Sequence, residues 1–541
     1  MARWLARNPS LASKRDSFSG TFDRPWPRFA AGLHTEDVMA VTDLNARLDT
    51  LSPEKRALVE RSLKRRLEAA RNSAPIPRRT ESGPTPLSFS QQRMWFLDQW
   101  EPGSFTHNGA RAFRLTGPID AGALERALVR IVQRHEVLRT VYALQGREPR
   151  QQVLDDWELR LEVVDLREFA DAERDDELGR LLRALSREPF DLRSDLMVRP
   201  TLFQLGANDH ALLVRLHHIA FDAFSDKNFF GELDALYSGF TEGREATLEE
   251  PPIQYADYAV WQREHLSGPH LARLVEYWRN ELSGAPPLLL LPIDGSRYSP
   301  QRHEGRHHEI SLPAETARAV VEFGRSVGAT PYMTLLAAFA VLLYRVSGQD
   351  EVVLGSPIAN RGRPELDRLI GFFTNTLALR VRLNGNPSFR EVVNRTRETA
   401  LQAYAHQDLP FERIVEELQV ERDPSYNPIF QVNFRAQAEE RQPLKLRGVS
   451  AAPLAIDIGF SRFDLALELQ LRDDGIGGYI EYDLDLFEQD TIVALAAELE
   501  SMLGQLVSSP DKPILQLRVQ PRWRLAGTAR RPSAIRPSRN S

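Results

Sequence analysis

Ala211-Leu212-Leu213-Val214-Arg215-Leu216-His217-His218-Ile219-Ala220-Phe221-Asp222 is the stretch on which the fold of this chain turns. Its first six residues are apolar and β-prone, which predicts a buried strand. Side chains alternate across a strand, so only one of the two histidines can face a given cavity. A neutral imidazole at a strand end, beside a carboxylate that orders the turn, suits a general base near neutral pH. Beyond Asp222, the segment Ala223-Phe224-Ser225-Asp226 leads into helix-spaced apolar residues Phe229, Phe230, Leu233, Leu236 and Tyr237. Ser225 is the expected N-cap of that helix. Strand, histidine pair, turn and helix together place catalytic groups at the mouth of a cleft.

Composition sets the outer bounds. The 541 residues leave room for several domains, and 42% hydrophobic with 27% charged residues is ordinary for a globular protein. A net charge of −6 argues against nucleic acid as a partner. The lack of cysteine removes disulfides, thiol nucleophiles and cysteine-ligated metals, and agrees with a cytoplasmic location. The most apolar stretch, Thr330 to Tyr344, is shorter than the roughly 20 residues a membrane span needs. It reads as a buried helix capped by Thr330, with Pro331 in its first turn, and no membrane association is expected.

Along the chain, residues 1–44 read as a poorly ordered extension and residues 45–73 as a segment bearing an amphipathic helix from Leu51 to Ala70. Residues 74–86 are a linker by composition, with Pro75, Pro77, Pro84 and Pro86. From Leu87 to about residue 515, strand and helix patterns alternate, which argues for mixed α/β layers. Ala121–His135 is an expected helix behind an Asp120 cap. Ala112–Leu115, Glu351–Leu354, Leu377–Val381 and Phe430–Phe434 are further expected strands. Residues 516–541 are basic and read as a disordered tail.

Six further segments accompany the histidine motif in fixed order. They are Leu87-Ser88-Phe89-Ser90-Gln91-Gln92-Arg93-Met94-Trp95-Phe96-Leu97, Arg134-His135-Glu136-Val137-Leu138-Arg139-Thr140, Tyr255-Ala256-Asp257-Tyr258-Ala259-Val260-Trp261-Gln262, Ile370-Gly371-Phe372-Phe373-Thr374-Asn375-Thr376-Leu377, His406-Gln407-Asp408-Leu409-Pro410-Phe411-Glu412, and Arg422-Asp423 through Asn427-Pro428-Ile429-Phe430-Gln431-Val432-Asn433-Phe434. The set resembles the condensation domains of nonribosomal peptide synthetases, relatives of chloramphenicol acetyltransferase, over roughly residues 84–515.

The resemblance implies an α/β (α+β) fold with two chloramphenicol acetyltransferase-like lobes in a V-shaped pseudo-dimer, here residues 87–260 and 261–515, and a tunnel between them. It implies transfer of an acyl or peptidyl group from a carrier-protein thioester to an amine or alcohol. The substrates ride on phosphopantetheine arms, and the domain itself needs no intrinsic cofactor or metal. Neither an adenylation-type phosphate loop nor a carrier-type segment is visible in the sequence. Donor and acceptor carriers are therefore expected on other chains, with a small-molecule amine or alcohol as an alternative acceptor.

By the same resemblance His218 accepts or orders the nucleophile's proton, His217 is mainly structural, and Asp222 pairs with Arg361. One position departs from the pattern, since the family's Asp-Gly is Asp222-Ala223 here, followed by Phe224 as a retained aromatic wall. A positive φ at Ala223 would cost about 1–2 kcal/mol, whereas a close ligand approach would be narrowed by its methyl. The second reading is therefore a catalytically impaired module that recruits carriers or a tailoring enzyme. Epimerisation ranks lower, because the His406–Glu412 and Asn427–Phe434 segments look like the condensation versions. The His307-His308 pair lacks a following aspartate and is assigned no chemistry, and His406 is expected to pack locally.

Overall fold

A computed structural model describes residues 75–518 except 81–82, 245, 299–301, 421–422, 438–443 and 473. The expected extension, the 51–70 helix and the tail beyond Arg518 lie outside the described residues. In chain order the strands are β1 (Thr85–Pro86), β2 (Asn108–Thr116), β3 (Thr140–Gln145), β4 (Glu148–Val153), β5 (Glu162–Asp165), β6 (Val198–Gln204) and β7 (Asp209–His217). They continue with β8 (Gly305–Pro313), β9 (Glu351–Ile358), β10 (Asn375–Arg382), β11 (Val432–Gln437), β12 (Ser450–Leu454), β13 (Leu465–Arg472) and β14 (Gly475–Asp483).

These strands form sheets ordered β1-β4-β3, β12-β2-β7-β6-β5 and β10-β9-β11-β13-β14-β8, each mixed with helices in the α/β manner expected. The expected strand at 211–216 is the centre of β7, which pairs antiparallel with β2 and β6. Its apolar run is nearly unbroken because both faces are covered. Leu212, Val214 and Leu216 enter one core with the helices Ala121–Arg134 and Asp226–Thr241, while Ala211 and Leu213 enter another with Leu178 and Leu182. His217 ends the strand beside Phe190.

The six-stranded sheet is covered by the helix Pro331–Ser347, whose residues Met333 to Arg345 are all buried. Its Thr330 hydroxyl accepts from the Met333 N–H as expected, and Gly348 ends it at φ 75°. Among the described residues, the helix Gln489–Ser508 is long and apolar enough to cross a membrane by length and composition. Its Leu495, Leu499, Met502, Leu503 and Leu506 pack into this same core.

Several expectations are corrected. The proline-rich stretch read as a linker is docked: Ile76 is buried and donates to Glu365, Arg78 donates to the Pro251 and Pro252 carbonyls, and Arg79 bridges Glu136 and Asp257. Prolines there exclude helix, but they leave side chains and N–H groups free to bond to the fold. At the other end Leu517 is buried and the Arg518 N–H donates to Gln505, so the packed chain runs past residue 515. The expected strand at 430 begins only at Val432. Ile429, at φ 72°, makes a sharp turn that lays Phe430 over Gly355, where a methyl would stand 2.1 Å from the ring. The His307-His308 pair lies within β8.

The boundary at 260/261 does not partition the cores by sequence. β12 pairs with β2, and Leu366, Leu369, Ile370 and Phe373 belong to the first core. That loop brings later residues to the end of β7.

Candidate active site

β7 ends at His217, opposite Asn108, and a tight turn follows. The Ile219 N–H donates to His217 Nδ1 at 3.1 Å, so that nitrogen carries a lone pair and the proton sits on Nε2. His218 has the opposite arrangement. Its Nδ1 lies 3.0 Å from the Phe221 carbonyl oxygen, which can only accept, so Nδ1 bears the proton and Nε2 the lone pair. Adjacent histidines are thus held as opposite tautomers by the backbone of one turn.

His217 is buried, and desolvation, with a smaller push from the positive charge of Arg462, takes its pKa down to about 3. His218 is half-buried, with Phe372 6.1 Å from its ring centre. Its pKa is held well below 6.5, first by desolvation and then by Arg462, against the opposing Phe221 hydrogen bond. Both rings are neutral near pH 7.

A stability consequence follows for His217. Below its unfolded value of 6.5 the unfolded chain takes up a proton that the folded chain refuses down to about 3. Each pH unit lost in that window costs about 1.4 kcal/mol. In His217→Asn the amide oxygen can still accept from Ile219. Urea unfolding at pH 7 and pH 5 should show an acid loss roughly 2 kcal/mol smaller for this variant than for the unsubstituted protein. Equal losses would contradict the assignment.

Asp222 is the knot of the turn. Its Oδ1 accepts from the Ser225 N–H (2.9 Å), the Ser225 hydroxyl (2.8 Å) and Arg361 Nη2 (3.2 Å). Its Oδ2 accepts from the Phe373 N–H (3.0 Å), the Thr374 N–H (3.2 Å) and the Thr374 hydroxyl (3.3 Å). Arg361 also donates to the Leu366 and Leu369 carbonyls and lies over the Phe373 ring. Asn360, at φ 51°, turns the chain that delivers it. One carboxylate therefore fastens the 371–374 loop to the histidine turn. Gly371 permits the approach, since a methyl there would stand 2.1 Å from the Tyr255 ring.

Ser225 does not act as the cap expected of it. It precedes the helix Asp226–Thr241 in an α conformation without a capping bond. Its hydroxyl instead serves Asp222 and the Gly371 carbonyl and accepts from Gly371 N–H and Arg361. Ala223 is half-buried and is not among the residues of positive φ, so the strain alternative is removed. Ala223→Gly should therefore fail to stabilise the fold. Its added unfolded-state freedom should cost about 0.5–1 kcal/mol, read as a lower urea midpoint. A raised midpoint would contradict the observed backbone. Phe224 is 40% exposed, and the aromatic ring beside His218 is Phe372.

Two residues near His218, His107 and Arg462, carry no mark in the sequence, while Phe372 lies in the Ile370–Leu377 motif without being assigned a place beside His218. The His107 carbonyl accepts the His218 N–H at 2.9 Å. Arg462 Nη2 donates to the Thr106 carbonyl at 2.8 Å, and its charge depresses the pKa of His107, His217 and His218. His406 packs locally as expected, stacked on Tyr277 at 3.8 Å.

A family model described as Condensation domain matches residues 81–522. One of the linear gramicidin synthase proteins of Brevibacillus parabrevis is 41% identical over 445 residues, which is 82% of this chain and 6% of that protein. Phosphinothricin tripeptide synthetase PhsC of Streptomyces viridochromogenes is 41% identical over 486 residues, 88% of this chain and 44% of that protein. The chain thus spans less than half the length of these relatives. The crystal structure of the X-domain from teicoplanin biosynthesis superposes with a TM-score of 0.76 at 29% identity, covering 82% of this chain and 100% of that domain. A complex of that X-domain with OxyB matches equally well, at 30% identity.

Proposed function

The chain belongs to the condensation-domain family, and on that premise we propose that it is an active acyltransferase of nonribosomal peptide assembly. In this reading it moves an acyl or peptidyl group from a carrier-protein thioester to an amine or alcohol borne by a second carrier or free in solution. The observation that carries the reading is the lone pair left on His218 Nε2 by the Nδ1–H bond to Phe221, on a half-buried ring.

The nucleophile's N–H or O–H donates to Nε2 as its heteroatom attacks the thioester carbonyl. The new C–N or C–O bond forms, the C–S bond breaks, and the proton shared with Nε2 passes to the departing thiolate. Because burial and Arg462 disfavour the imidazolium, His218 orients the nucleophile and shares its proton rather than storing a full charge. Fixing both reactants beside this ring lowers the barrier further by removing translational freedom. His217 and Asp222 act through the turn they shape.

The test is direct. Purified protein is mixed with an acyl-loaded donor carrier and an aminoacyl-loaded acceptor carrier, and the acceptor is weighed by mass spectrometry. The reading expects the joined product on the acceptor arm, and only when the protein is present. A second reading, a module that recruits a tailoring enzyme, is supported by the similarity to the teicoplanin X-domain and its complex with OxyB, and by Ala223. It expects no product above the carrier-only control.

A further inference from the structure

We propose that His265, His270 and Asp408 form a binding site for one transition-metal ion of the zinc class, sharing no residue with the His218 site. His265 ends the helix Tyr255–His265, and His270 lies in the first turn of the helix Gly268–Leu282. Ser267 and Gly268, the latter at φ 57°, make the bend between them. Asp408 comes from the turn after the helix Phe389–Ala405. One potential ligand atom from each of the three lies within 4.8 Å of the others.

Two further observations point to an ion rather than a plain ion pair. His270 Nε2 is buried and has no hydrogen-bond partner, a costly state for a ring nitrogen. The nearest carboxylate oxygen, Asp408 Oδ2, stands 3.7 Å away, too far for a hydrogen bond. Ligands of a tetrahedral zinc ion with bonds of about 2.0–2.1 Å sit roughly 3.3 Å apart, so this spacing needs only a small side-chain rotation. The two imidazole rings are 4.9 Å apart and tilted by 56°, and His265 is steadied by stacking on Trp261 at 4.5 Å.

Two imidazoles and one carboxylate favour Zn²⁺, Co²⁺ or Ni²⁺ over Mg²⁺ or Ca²⁺, with water completing the shell. The bound ion would tie both helices to the 406–410 turn. That turn is already held by Asn375, whose amide donates to the Gln407 and Leu409 carbonyls. The ion would therefore stiffen the joint next to the loop that Asp222 fastens.

The experiment uses the full chain after chelator treatment, titrated with Zn²⁺ against a chromophoric competitor and separately with Co²⁺ by visible absorption. The expected result is one saturable equivalent, a raised melting temperature and a Co²⁺ spectrum of a nitrogen–oxygen site. Asp408→Asn, a change at an exposed position, and His270→Ala should each weaken binding by more than the roughly 10–100-fold typical of outer-shell losses. His307→Ala, at a ring that meets Glu481 and Tyr479 rather than the three proposed ligands, should leave it unchanged. No saturable equivalent, or equal binding by Asp408→Asn, would overturn the site.

Discussion

His218→Ala should lower the single-turnover rate of acyl transfer by about 10²–10⁴-fold, the usual span for a positioned acid–base group. The loss should fall on kcat, because the ring meets the nucleophile's proton and has no evident part in holding the acyl chain. Folding should be little affected. The ring is half-buried and its one side-chain bond goes to the Phe221 carbonyl, worth about 1 kcal/mol net. Rapid-quench measurement of thioester consumption, beside a urea unfolding curve, separates the two effects. A rate within a few-fold of the unsubstituted protein would remove His218 from the chemistry.

Arg361→Ala should cost about 3–5 kcal/mol of folding stability, since it strands a buried carboxylate without its cation. Asp222 would keep its hydrogen bonds from Ser225, Phe373 and Thr374, but the charge would go uncompensated. The Leu366 carbonyl would lose its Arg361 donor as well, while the Leu369 carbonyl would keep the bond from the Asn228 amide. Asp222→Asn in the Arg361→Ala background should recover part of the loss, because removing the stranded charge is cheaper than keeping it. A double variant no more stable than Arg361→Ala would show that charge burial is not the cause.

The histidine turn was legible because its signals are local. An apolar run of six residues set the strand, and the histidine pair marked where it ends. The Asp222–Arg361 bond, spanning 139 positions, came only through the resemblance and stands at 3.2 Å. Arg462 and His107 gave no comparable signal, since nothing near them in sequence marks them as neighbours of position 218, and Phe372 stood in a motif that does not say which ring it meets. They meet there because the 366–373 segment joins the first core and Arg462 bonds back to Thr106. Ser225 was misread for a related reason: a serine before a helix is a good cap until a buried carboxylate three residues earlier claims its hydroxyl. The proline-rich 75–86 stretch shows the limit of composition, which excludes helix there but not the docking of Ile76 and Arg79.

A neutral imidazole at position 218 with its lone pair on Nε2 has a direct spectroscopic signature. Nitrogen-15 NMR of histidine-labelled protein, assigned by loss of signal in His218→Ala, reports the tautomer and its titration. The expected spectrum shows a proton on Nδ1, a bare Nε2, and no protonation as the pH falls from 7 through 6.5. A proton on Nε2, or a cation at pH 7, would contradict it.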